Sequence, residues 1–287
     1  MRKLKKKRNY SLYIIIACVG IFSVMGVGYA YLQQSLDINL GLSKKGPDFA
    51  TDSWKTIVAN VRRNPSVYPV GDEKEVTLTG AYAGTYTVRV ANNTTPAECS
   101  GTDFSQTACG FVVEFKDIIT LEKMNSTMTS KNGWPGSELY QKLNPKNGDT
   151  TNSVIYNALP EELKQVIVDT KVISSHGSKD STNFTSIDKL YLLATKEIWG
   201  KDGTSSIINY DTSDNQTRQL DYYKSIGITT NNYSGAIKQY QLSNQSWWTR
   251  SAYSYASYYF YLVFSPGDWK TFNANYTSGV APAFRIG

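Results

Sequence analysis

Apolar residues form one long run near the start of the chain and short periodic runs over the rest. The long run extends from Leu12 to Leu32 and contains no charged residue. A helix needs about 20 predominantly apolar residues to cross a bilayer, so this run predicts a transmembrane anchor over residues 10–32. Six basic residues lie in the segment 1–9. They predict that this end stays cytoplasmic and that the remainder of the chain faces outward.

A cleaved signal peptide is the alternative interpretation of the same run. Gly28 and Ala30 place small residues at the two positions that a signal peptidase inspects. Cleavage after Ala30 would secrete the protein, whereas retention would give a single-pass membrane protein with its C-terminal domain outside. Both interpretations place residues 33–287 outside the cytoplasm.

Short apolar periodicities predict an α+β domain over residues 51–287, after a polar linker over 33–50. Trp54, Ile57, Val58 and Val61 have helical spacing, with Asp52 or Ser53 as the cap and Asn64-Pro65 as the end. Helical patterns also cover 136–143, 160–168 and 219–225, with Pro160 at a first helical position. Strand patterns cover 75–79, 85–90, 111–115, 189–193, 258–264, 270–275 and 283–286. Because strands and helices do not alternate regularly, the fold predicted is α+β and mainly antiparallel.

Charge and cysteine placement agree with export. The net charge of +6 equals the six basic residues before the apolar run, so the exported part is neutral and no nucleic-acid partner is expected. Cys99 and Cys109 are the cysteines beyond the apolar run. Their spacing is not CxxC and no histidine lies nearby, which favours one disulfide over a redox or metal site. Such a short loop contributes about 3 kcal/mol in the chain-entropy model.

An ordered set of sequence blocks resembles a bacterial family, the domain of unknown function six-two-seven-three. The blocks include SWKTIVANV (53–61), YTVRVANNTTPAEC (86–99), NGWPGSELYQKLN (132–144), DKLYLLATKEIWG (188–200), WWTRSA (247–252) and GVAPAFRIG (279–287). The resemblance spans residues 51–287 and implies an exported protein with a fold similar to C-type-lectin-like domains and formylglycine-generating enzymes. The family usually has leucine, proline and arginine where this chain has Thr249, Ala252 and Ala281. A site built on that arginine is therefore not expected.

Patterns typical of catalysis are missing from the sequence. The one histidine, His176, lies in a polar stretch that predicts a solvated loop, and no GxSxG nucleophile motif accompanies it. Zinc-ligand spacing and phosphate-binding glycine loops are also missing. The pair Glu161-Glu162 fits the first turn of a helix, and Asp211–Asp214 predicts a solvated loop. The sequence thus predicts a protein that is not an enzyme and uses no cofactor or metal.

The C-terminal region 247–287 combines Trp, Tyr, Ser, Asn and Gly, a mixture that suits a recognition surface. Trp247, Trp248 and Phe284 lie in the family's blocks and are predicted to be core. The predicted ligand-binding residues are Tyr253, Tyr255, Tyr258, Trp269, Asn273, Asn275 and Tyr276. The function expected is a cell-surface recognition or adhesion module for an extracellular protein or glycan.

Three other interpretations stay open at this point. The protein could be a structural envelope component without a specific ligand, or a glycan-modifying enzyme. The tail could also be a target of adenine-directed diversification, which yields mostly Tyr, Asn, Ser and Asp.

Overall fold

A computed structural model describes residues 46–146, 148–177, 180–200 and 211–287. Its compact unit runs from Pro47 to Gly287. The predicted anchor, the cleavage position and most of the predicted linker lie outside the described residues. Within the described part of the chain, every helix is too short or too polar to span a bilayer.

Helices and strands follow one another in a mixed order. The helices are α1 (Trp54–Arg63), α2 (Glu138–Leu143), α3 (Val154–Asn157), α4 (Glu161–Lys164), α5 (Thr195–Trp199) and α6 (Asp221–Ser225). The strands are β1 (Glu73–Leu78), β2 (Gly84–Asn92), β3 (Val112–Phe115), β4 (Thr120–Lys123), β5 (Thr170–Gly177), β6 (Asp180–Asp188), β7 (Lys238–Tyr240), β8 (Ser243–Gln245), β9 (Trp247–Ala252), β10 (Tyr259–Val263), β11 (Trp269–Asn273), β12 (Thr277–Val280) and β13 (Ala283–Arg285).

The described residues of the unit form two sheets and two separate hairpins. One sheet has the order β1-β2-β3-β13, and the other has the order β11-β10-β9-β12-β4. The pairing is antiparallel except between β12 and β9. β5 with β6 and β7 with β8 form the separate hairpins. This arrangement confirms a mainly antiparallel α+β fold.

Helix α1 forms as its sequence predicts. The Ser53 hydroxyl caps its start by accepting a hydrogen bond from the Thr56 N–H, and Asn64 ends it just before Pro65. This cap satisfies one of the N–H groups that a helix start leaves without a partner. The buried face consists of the residues predicted from the spacing: Trp54, Ile57, Val58 and Val61. Phe49, within the predicted linker, packs edge-on against Trp54 with ring centroids 6.1 Å apart.

The predicted strand over 189–193 is wrong. Leu190 to Leu193 are fully buried, but among the described residues their strand pairing is limited to an isolated bridge between Tyr191 and Ala283. The Asn144 side chain takes the place of a neighbouring strand: its Oδ1 accepts from the Leu190 N–H, and its Nδ2 donates to the Leu190 carbonyl. A short apolar run signals burial and does not distinguish a strand from a buried connection.

Other predicted elements are present with shifted ends. The strands predicted over 75–79, 85–90, 111–115, 258–264, 270–275 and 283–286 correspond to β1, β2, β3, β10, β11 and β13. Pro160 is the residue before α4 and not its first helical residue. The β5–β6 hairpin has no counterpart among the predicted strands, because its serine-rich sequence has the composition of a loop.

Candidate functional site

Aromatic side chains gather on one face of the β10–β11 hairpin. The register sets Tyr259 opposite Asn273, Tyr261 opposite Thr271 and Val263 opposite Trp269. Residues directly opposite in an antiparallel pair project from the same side of the sheet. Tyr253, just after β9, joins this side: its ring lies 6.2 Å from Tyr259 and 5.6 Å from Tyr261. We call the set Tyr253, Tyr255, Tyr259, Tyr261 and Trp269 the aromatic face.

Solvent exposure of the rings increases across the aromatic face, from Tyr261 to Tyr255. Tyr261 is buried, Tyr253 and Trp269 are half-buried, and Tyr255 is 64% exposed. The rings form an unbroken series, since Tyr255 contacts Tyr253 at 6.2 Å and Tyr261 contacts Trp269 at 6.2 Å. A buried base with an exposed outer ring holds the outer ring in place while leaving it open to contacts.

The seven predicted binding residues divide between two places. Tyr253, Tyr255, Trp269 and Asn273 lie on or beside the aromatic face, and Tyr258 borders it through a ring contact of 4.3 Å with Tyr259. The other two lie elsewhere. Tyr276 is 45% exposed and packs at 4.6 Å on Phe272, which projects from the opposite side of the sheet together with Phe260. Asn275 is exposed in the turn after β11.

The predicted framework of the tail is core. Trp247, Trp248 and Phe284 are fully buried. The indole N–H of Trp247 donates to the Ala236 carbonyl, and that of Trp248 donates to the Glu122 carbonyl. These bonds confirm the prediction, because a buried indole needs an acceptor as well as apolar contacts.

A buried ion pair joins β9 to α5. The Arg250 guanidinium donates two hydrogen bonds of 2.6 Å to the Glu197 carboxylate, and both side chains are fully buried. Thr217 donates to Glu197 at 2.7 Å, and Arg250 also donates to the Leu192 carbonyl at 2.8 Å. Burial raises the pKa of Glu197, but the nearby Arg250 outweighs burial and holds that pKa below its usual range. All charges are paired here, so the network has a structural role.

A second buried network connects the β1-β2-β3-β13 sheet with α6 and the β7–β8 hairpin. Glu114 accepts from Arg89 at 2.8 Å, from Lys238 at 3.0 Å and from the Tyr223 hydroxyl at 3.0 Å. Burial lowers the pKa of Lys238 to about 8, although Glu114 acts in the opposite direction. The ammonium also donates to the carbonyls of Phe115 and Lys116, so its hydrogen-bonding capacity is used within the protein.

Asp188 differs from these networks because no cation pairs with it in the described structure. It is fully buried at the end of β6, and its Oδ2 accepts from the Trp134 indole N–H at 2.8 Å. Its Oδ1 has no hydrogen-bond partner among the described residues. Burial raises the pKa of Asp188 to about 6. A raised pKa can mark a catalytic acid, but this carboxyl is shielded from solvent and faces an indole.

The prediction of a solvated loop is wrong for two residues, Asp211 and His176. Asp211 is 1% exposed and accepts a hydrogen bond of 2.7 Å from the Thr195 hydroxyl and another from the Ser251 hydroxyl. His176 lies half-buried on β5, where its ring stacks on Phe184 at 4.0 Å. Both residues occur in polar stretches, and composition does not reveal that residues of other helices and strands supply their partners.

The predicted disulfide is present and borders a cleft. Cys99 and Cys109 are bonded, with their Cα atoms 5.9 Å apart. The cleft next to this loop has a volume of about 580 Å³, and its lining includes Glu98, Phe104, Thr217, Arg218 and Lys224. Arg218 donates to Asn92, Asp221 and the Ala108 carbonyl, so its charge is used within the protein. Among the described residues, no cluster of His, Cys, Asp or Glu is placed to hold a metal ion.

Comparison with known proteins gives one match. The family model described as Domain of unknown function (DUF6273) matches residues 112–287, and the chain belongs to that family. The matched region contains β3 to β13 and therefore the whole aromatic face. No curated protein and no solved structure matches the chain.

Proposed function

We propose that this member of the DUF6273 family is a cell-surface recognition or adhesion module that binds an extracellular protein or glycan through the aromatic face. The observation that carries the proposal is the exposure of Tyr255 on top of a packed series of rings. Tyr255 is 64% exposed, although it contacts the half-buried Tyr253. Exposed aromatic rings on a fixed base are typical of binding surfaces.

The chemistry of the aromatic face suits a neutral ligand. Tyrosine and tryptophan provide large rigid contacts at a low cost in conformational entropy. Thr271 and Asn273 project from the same side and add hydroxyl and amide groups that can hydrogen-bond a ligand. Lysine, arginine, aspartate and glutamate are missing from positions 250–263 except at Arg250, which is buried. Affinity would therefore come from aromatic contacts and hydrogen bonds.

Presentation outside the cell is part of this proposal. The apolar run over 12–32 and its six basic neighbours support a membrane anchor with the domain outside, or secretion after cleavage. The Cys99–Cys109 disulfide supports an oxidising compartment. A C-type-lectin-like fold, which the family resemblance implies, would place recognition in the same C-terminal region.

The test measures binding of the full chain, purified in mild detergent, to glycan arrays and to extracellular bacterial and host proteins. Tyr255→Ala and Trp269→Ala should each weaken the interaction at least about tenfold, the effect of losing roughly 1.4 kcal/mol of contact energy. Tyr276→Ala is the matched control, because Tyr276 is also exposed but lies on the opposite side of the sheet.

An equal loss of binding affinity in the Tyr276→Ala variant would mean that binding does not depend on the aromatic face in particular, and it would overturn the proposal. Full binding by the Tyr255→Ala and Trp269→Ala variants would also overturn it. That result would favour a structural envelope protein without a specific ligand at this surface.

A further inference from the structure

Strand β11 is the edge of its sheet, and the backbone N–H and C=O groups of three of its five residues face away from β10. The Ala274 N–H donates to the Tyr258 carbonyl, and the Phe264 N–H donates to the Asp268 carbonyl. Hydrogen-bonded pairs alternate along an antiparallel ladder. With the observed register, Lys270 and Phe272 bond to β10. The N–H and C=O groups of Trp269, Thr271 and Asn273 therefore point outward from the sheet.

This outer edge is uncovered within the described structure. The sheet order ends at β11, and no described strand pairs with its outer side. The Asn273 carbonyl accepts a turn hydrogen bond from the Tyr276 N–H, which leaves its second lone pair and its N–H facing outward. Lys270 is exposed, and the other four residues of β11 are half-buried. An uncovered edge strand is a template for another strand.

We infer that β11 pairs antiparallel with β11 of a second copy of this chain, about a twofold axis through Thr271. In this register Thr271 lies opposite the partner's Thr271, and Trp269 lies opposite the partner's Asn273. The pairing satisfies the outward N–H and C=O groups of both strands. It is isologous, as expected for a closed dimer of identical subunits.

Charge favours this register and this partner. A strand paired with its own copy in antiparallel fashion usually risks placing like charges opposite one another. Here Lys270, the one charged residue of β11, lies opposite the partner's Phe272. An ammonium beside an aromatic ring is attractive, and Lys270 already makes such a contact with Phe264 at 3.6 Å within the chain. The exported region is neutral, so no long-range repulsion opposes association.

The dimer would join two sheets edge to edge and bring the two aromatic faces to the same side of one continuous sheet. Trp269 would lie near the join in both copies. A repetitive ligand would then meet two adjacent sites, and its apparent affinity would exceed that of one site. The pairing itself depends on β11 and not on any ligand.

The test is the molar mass of the full chain in mild detergent, measured by sedimentation equilibrium over a wide concentration range. The wild-type chain is expected to shift from monomer to dimer as concentration rises. Thr271→Pro removes the outward N–H at the axis and should shift the midpoint to at least about tenfold higher concentration. Proline is tolerated on edge strands where the N–H faces solvent, so the β10–β11 ladder should remain intact.

Thr271→Val is the matched control, because it keeps the N–H and the branched shape and should dimerise like the wild type. Thr271→Lys places two ammonium groups opposite each other and should abolish the dimer at low salt. Circular dichroism checks that each variant is folded.

A wild-type chain that remains monomeric over the concentration range overturns the inference, and so does a folded Thr271→Pro variant with wild-type dimerisation. Binding of a foreign extended peptide to β11 of a monomeric chain would also overturn it. Dimerisation can fail while Tyr255 still binds a ligand, so this test is separate from that of the proposed function.

Discussion

Strands β9 and β11 belong to the same sheet and both begin with tryptophan, yet their environments are opposite. All six residues of β9 are buried, whereas none of the five residues of β11 is. β9 is central, between β10 and β12, and β11 is at the edge. Similar composition therefore serves two purposes: the central strand holds the fold together, and the edge strand and its flanks remain accessible. Position in the sheet decides which purpose a tryptophan or tyrosine serves.

The two strands also differ in the environment of their charged residues. β9 carries Arg250 into the core, where Glu197 and several carbonyl and hydroxyl groups satisfy it. β11 carries Lys270 on the exposed edge. Burial of a charge is tolerated only when its partners are complete, because an isolated buried ion is very costly. The central strand should therefore be sensitive to the loss of one charged partner, and the edge strand should not.

Arg250→Met should give the largest effect. It leaves Glu197 buried without a cation, and breaking a buried pair in this way typically costs about 3–5 kcal/mol. The free energy of unfolding, measured by denaturant titration, should fall by that amount. The double variant Arg250→Met/Glu197→Met should recover much of the loss, because it removes both charges and replaces them with apolar volume.

The control for that experiment is Lys116→Met, which breaks the exposed pair between Lys116 and Glu73. Exposed pairs contribute about 0–1 kcal/mol, so this variant should remain close to the wild type. If Arg250→Met cost no more than Lys116→Met, the conclusion that the central strand depends on its buried ion pair would be wrong.

Much of the fold could be predicted because its signals are local. The spacing of Trp54, Ile57, Val58 and Val61 specifies one face of α1, and a turn sequence separates β10 from β11. The partners of Arg250 could not be predicted in this way. Glu197 is 53 residues away in sequence, and nothing near Arg250 shows that a carboxylate meets it in the core. The same limit applies to Asp211, whose partner Ser251 lies 40 residues away.

The candidate site was predictable in composition but not in arrangement. Enrichment in tyrosine and tryptophan pointed to Tyr255 and Trp269. It also pointed to Tyr276, whose ring packs on Phe272 on the other side of the sheet. Alternation predicts which residues share a side only when the ends of each strand are known. Strand β11 ends at Asn273 and a turn follows, so alternation along β11 does not predict the side on which Tyr276 lies.

Asp188 tests what burial costs a carboxyl group that has no ion-pair partner in the described structure, and its effect on stability should be smaller than that of Arg250. Burial raises the pKa of Asp188 to about 6 from an unfolded value of 3.8. The folded protein then binds more protons than the unfolded chain between about pH 4 and 6, so stability falls as pH rises through that window. A shift of this size corresponds to about 3 kcal/mol.

Asp188→Asn should therefore be more stable than the wild type above pH 6, and the difference should shrink towards pH 4. The asparagine can still accept from the Trp134 indole N–H, which keeps the local hydrogen bond. Unfolding free energies of both proteins across this pH range supply the measurement, and Asp149→Asn, at an exposed carboxyl, should give no such gain. A difference between wild type and Asp188→Asn that did not change with pH would contradict the assignment of a raised pKa.

Tyr255→Ala should give the smallest effect on stability and so completes the contrast between the core and the accessible surface. Tyr255 is 64% exposed, whereas Tyr261, two rings away in the same series, is fully buried. Substitution of an exposed side chain usually changes stability by no more than about 0.5 kcal/mol. Truncation of a buried aromatic ring costs about 3–5 kcal/mol, so Tyr261→Ala should be severely destabilised. Thermal and denaturant unfolding of the two variants compare them directly. If both lost several kcal/mol, Tyr255 would be part of the packing of the core, and the contrast between the core and the accessible surface would be wrong.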